Sequence, residues 1–88
     1  MDFQTQVEHE GFPAGAQVTT HDEPTGRVFR VTQGEGALEI LLTEDAVKIY
    51  GEGPTRVMVL QRLREAAEAG LPPREAGGGC VRQVFLGD

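Results

Sequence analysis

The period of the apolar residues changes once along this chain, and that change limits the fold more than any single motif does. Over residues 16–50 apolar side chains recur at the short, turn-punctuated spacing of β-strands, and over 54–69 they switch to helical spacing. Val18 and Thr20 alternate with Gln17 and Thr19, and Glu23-Pro24-Thr25-Gly26 then offers a tight reversal, with Pro early and Gly late. Phe29 and Val31 fall on one face of the next segment and Val28 and Arg30 on the other, because successive strand side chains point oppositely. After Gly34-Glu35-Gly36, Leu38, Ile40 and Leu42 form one face of a third strand, with Glu39 and Leu41 opposite. Thr43-Glu44-Asp45 reads as another reversal, and Val47 and Ile49 alternating with Lys48 and Tyr50 read as a fourth strand.

The helical segment has its own punctuation. Gly53 can act as N-cap, Pro54 suits the first helical position, and Gly70 before Leu71-Pro72-Pro73 is a stop. On a 100° wheel Val59, Leu60, Leu63, Ala66 and Ala67 span an arc of about 120°, the width of a face lying on a sheet. Leu71 is placed to pack back on the last turn. Residues 81–86 read as a final strand. The expected fold is therefore α+β: an antiparallel β-meander of four to five strands packed on one α-helix, with a C-terminal strand after the helix. A curled, barrel-like sheet with an appended helix is the alternative. Residues 1–15, with Phe3, Val7 and Phe12, read as an N-terminal arm or edge strand, and residues 72–80, with three successive glycines, as a flexible loop.

With 88 residues the chain makes one domain, 1–88, with a radius of gyration of about 12 Å. A core that thin leaves room for association, including a homodimer. The formal charge of −6 repels phosphate backbones, and the basic residues are scattered, so direct nucleic-acid binding is not expected. A lone cysteine, Cys80, rules out an internal disulfide and suggests a reducing compartment. Residues 1–6 show no leader pattern and no stretch reaches the ~20 apolar residues of a membrane span, so a cytoplasmic, membrane-free setting is the expectation.

Few residues point to chemistry. Gly53, Thr55 and Arg56 lie where a helix N-terminus could bind an anion, but without the spacing of a phosphate loop, and helix initiation alone explains the Gly and Pro. His9 and His21, each beside carboxylates, lack metal-site spacing. Cys80 has no Cys–His signature, serine is absent, and Tyr50 is an isolated phenol, so no catalytic residues and no cofactor are assigned. Arg56, Arg62 and Arg64 precede Glu65 and Glu68 on the helix, an order opposed to the macrodipole that solvent screening tolerates or a partner explains. Glu35, Glu39, Glu44 and Asp45 crowd the turns and outer face of the meander, while Val28, Leu41 and Tyr50 lie opposite the main core as spare apolar surface. Together these predict a small acidic, non-catalytic protein-interaction module that regulates or inhibits a basic, nucleic-acid-binding protein by occlusion. An anion or small-ligand sensor at Gly53, Thr55 and Arg56, and a self-associating subunit using the spare apolar face or an open sheet edge, are the two alternatives.

Overall fold

Apolar–polar alternation and two tight reversals produce the first three strands of the meander that the spacing predicts. In the computed structural model, which describes residues 3–73 and 81–85, β1 (Gln17–Glu23), β2 (Gly26–Gln33) and β3 (Gly36–Thr43) pair in antiparallel succession. Gly26 opens β2 so close to β3 that a Cβ there would sit 2.1 Å from the Leu42 carbonyl oxygen, a position only glycine fits. The register places Phe29 opposite Ile40 and Val31 opposite Leu38, so both strands turn one continuous apolar face to the helical layer.

The helical layer holds more than one helix. Residues 3–10 form α1 (Phe3–Glu10), not an edge strand, because Phe3 and Val7 are one helical turn apart and Phe3 packs at a tilt on Phe29 of β2, with ring centres 5.9 Å apart. The expected fourth strand is instead α2 (Glu44–Tyr50). Thr43 caps it, its hydroxyl oxygen accepting from the Ala46 N–H at 3.2 Å, and Glu44 and Asp45 in the first turn suit the positive end of the dipole. The alternation of Val47 and Ile49 is too short to outweigh that cap.

The long helix, α3 (Glu52–Ala69), begins two residues before the expected start, with Gly51 rather than Gly53 as N-cap. Gly51, at φ +92°, ends α2 and starts α3 at once: its N–H donates to Val47 and its carbonyl accepts from Thr55. Val59, Leu63 and Ala67 are buried in the core with Ala66 partly so, which makes them the roof of the sheet, while Leu60 is buried outside that cluster, near α1. Leu71 packs on the same core.

β4 (Val81–Phe85) follows the helix and completes a four-stranded sheet of order β1-β2-β3-β4. It runs parallel to β3, not antiparallel, since the roughly 27 Å length of α3 returns the chain to the end of the sheet where β3 began. Phe85 completes the core, and Arg62 of α3 lies 4.7 Å above its ring. Of the expected loop 72–80, Pro72 and Pro73 are tied to β3: the Pro72 carbonyl accepts from the Ala37 N–H at 3.0 Å and Pro73 bridges to Gly36. The rest of that loop, Cys80 and Leu86 lie outside the described residues. No described helix is long and apolar enough to cross a membrane.

Candidate functional site

The corner where α2 gives way to α3 is where this chain keeps its apolar groups in solvent. Only Gly51 separates the two helices, so the side chains of the junction cannot all face the sheet. Ala46, Val59 and Leu60 are buried, whereas Ile49, Tyr50, Val57 and Met58 are 68, 47, 50 and 42% exposed. Six large apolar side chains are exposed among the described residues, and these four fall within residues 49–58. Glu44, Asp45 and Glu52 are exposed on the same stretch of chain.

A cleft of about 440 Å³ opens beside α2. Phe29, Leu42 and Val47 supply apolar lining, and charges of both signs surround them from the β1–β2 turn, α2 and the first turns of α3. Arg27 is bound to Asp22 at 2.9 Å and Arg56 to Glu52 at 2.7 Å, whereas Glu44 and Lys48 have no ion-pair partner among the described residues. An open cleft of this kind suits a side chain with an apolar stem and a charged head better than it suits a reaction, because most of its charges already neutralise one another.

The sheet face away from the helices is not spare surface. Val28 is fully buried and Leu41 is 8% exposed, while Tyr50 has left the sheet for α2. Glu39, on the same face, is also buried and binds Arg30 at 3.0 Å and Arg82 at 3.6 Å. Arg82 reaches Glu23 with two parallel hydrogen bonds of 2.9 and 2.8 Å, and His21 meets the same carboxylate at 3.2 Å. These donors, Arg82 foremost, hold the Glu23 carboxyl below its ordinary range, and the same hydrogen bonds raise the Arg82 guanidinium. The expected docking residues Val28, Leu41 and Glu39 are thus covered beneath an intramolecular ion-pair network whose arginines stay partly exposed. The acidic cluster divides accordingly: Glu35 stays in the β2–β3 turn, roughly 25–30 Å along the chain from Glu44 and Asp45 at the far end of β3.

The expected anion site is also occupied from within. Gly53 lies inside the first turn of α3, and the fully buried Thr55 hydroxyl is 2.7 Å from the Gly51 carbonyl oxygen and 3.1 Å from that of Glu52. Arg56 binds Glu52 and donates to the Gln6 side chain of α1 at 3.3 Å. Arg64 likewise bridges Glu10 of α1, at 2.8 Å, and Glu68. The reversed charge order of the helix therefore serves an internal purpose, since it fastens α1 along one flank of α3. No group of three or more metal-ligating side chains gathers among the described residues.

Of the exposed corner, the sequence points to Tyr50 alone as partner-binding surface, and it places Tyr50 with Ile49 on a strand rather than on a helix. The signal that could have found it is Thr43-Glu44-Asp45, a cap followed by two acidic residues, which marks a helix start and removes Ile49 and Tyr50 from the sheet. Comparison with protein-family models, with curated proteins and with solved structures finds no match for this chain.

Proposed function

We propose that this chain is a small acidic, non-catalytic protein-interaction module that regulates a basic protein by covering its working surface, with the α2–α3 corner as the contact. The observation that carries this reading is that four of the six exposed large apolar side chains among the described residues, Ile49, Tyr50, Val57 and Met58, fall within ten residues of chain that also hold an exposed Glu52, directly after Glu44 and Asp45. Exposed aromatic and methionine side chains on a charged stretch of chain have the composition of a protein contact, and the carboxylates select a partner of opposite sign. A net charge of −6 repels nucleic acid itself but suits the basic groove of a protein that binds it. The cleft beside α2, with Glu44 at its edge and without an ion-pair partner among the described residues, has room for a lysine or arginine side chain of that partner.

The test is affinity capture from source cells with the wild-type chain and with an Ile49→Asp, Met58→Asp variant, followed by a salt series on the captured protein. The wild type should retain a basic protein that the variant releases, and retention should weaken as salt rises. Equal retention by the two chains, both folded by circular dichroism, would remove the corner as the contact, and binding indifferent to salt would remove the electrostatic part.

A further inference from the structure

We infer that the outer edge of β4 is a self-association site at which two copies pair antiparallel about Gln83, joining their sheets into one. The sheet order leaves β1 and β4 at the edges, and among the described residues nothing pairs with the outer side of either. The two edges differ in chemistry. β1 reads Gln-Val-Thr-Thr-His-Asp-Glu, so pairing along it would cover little apolar surface. β4 reads Val-Arg-Gln-Val-Phe, with Val81 38% and Val84 50% exposed, and it carries no proline, lysine or bulge of the kind that protects an edge.

Self-pairing centred on Gln83 is complementary at the exposed positions Arg82, Gln83 and Val84. Gln83 meets its own copy, and a side-chain amide both donates and accepts. Arg82 comes opposite Val84 of the second copy, so the Arg82 stem covers an exposed valine, while Val81 comes opposite Phe85, whose ring is already buried in its own core. Roughly four to six backbone hydrogen bonds would form, whichever set of alternate residues faces outward. The charge of −6 on each chain does not concentrate at this seam, because the one charged residue of β4, Arg82, is already compensated by Glu23 and Glu39. That anchorage also holds the strand extended before a second copy arrives, which lowers the ordering cost of association. A two-fold pairing uses up both β4 edges and closes at a dimer rather than a filament. This inference is independent of the α2–α3 corner, which a dimer would simply present twice.

Sedimentation over a concentration series, cross-linking and amide exchange test it together. In a Cys80→Ser background, Gln83→Cys should form an intermolecular disulfide in high yield under mild oxidation, and Thr19→Cys on β1 should not. The wild type should double in mass as concentration rises, with β4 amides becoming protected in step. Val81→Lys with Val84→Lys should weaken the dimer by about tenfold or more. If that variant fails to fold, the cross-link decides. A monomer at every concentration up to the millimolar range, or a dimer cross-linked through Thr19→Cys but not through Gln83→Cys, overturns the inference.

Discussion

Thr43 joins three elements through one hydroxyl group. As the last residue of β3 it accepts the Ala46 N–H that starts α2, and it donates to the Phe85 carbonyl at 3.3 Å, tying down the end of β4. Thr43→Val keeps the shape and removes both bonds, so a loss of about 1–2 kcal/mol is expected in denaturant melts, while Thr43→Ser should retain most of the stability. An unchanged Thr43→Val midpoint would mean the hydroxyl holds nothing. Glu23 makes a second residue-scale case, with a pH signature. Its folded carboxyl titrates below the ordinary 4.5, so the Arg82 contact stabilises the fold above 4.5 and loses that effect as pH falls through the lowered value. Wild type should therefore exceed Arg82→Met in stability at neutral pH, by a margin that closes on acidification. A margin that stays constant would show that Arg82 acts by packing alone.

At the scale of elements, the three helices are held by different means and should open in a definite order. α3 buries Val59, Leu60, Leu63 and Ala67, whereas α1 buries no residue completely and is fixed by Phe3, Gln6 and Glu10. Leu63→Ala should cost about 2–5 kcal/mol and destabilise the whole domain. Arg64→Met should release α1 alone, seen by hydrogen exchange as faster α1 amides with α3 protection unchanged. Uniform loss across α1 and α3 would make them one cooperative unit. The same contrast explains what the sequence revealed. α3 has 18 residues and five turns of periodic burial, enough for its face to be read directly. α1 and α2 have eight and seven residues, fewer than a periodicity window, and in Val47-Lys48-Ile49-Tyr50 two apolar positions imitate a strand. The direction of β4 was hidden for another reason: it depends on where α3 delivers the chain, not on any residue within β4.

For the whole molecule, size and charge were legible and the assignment of surfaces was not. The radius of gyration is 12.5 Å, close to the value expected from length alone. Counting apolar residues overestimated the spare surface, because Val28 and Leu41 share their face with the Arg30, Glu39 and Arg82 network and are buried there, a pairing of distant residues that alternation cannot disclose. Apart from Val81 and Val84 of β4, the exposed large apolar side chains among the described residues lie in residues 49–58 of an acidic chain, and in the proposed contact the apolar and charged parts should govern different phases of binding. Long-range attraction acts before contact, so Glu44→Lys with Asp45→Lys should slow association with the proposed basic partner and flatten its salt dependence. Apolar contact acts after docking, so Ile49→Asp should leave association nearly unchanged and speed dissociation. Surface plasmon resonance on both variants over a salt series separates the two. If the charge reversals altered only dissociation, the carboxylates would be contact groups within the interface, and the overall charge would have no part in finding the partner.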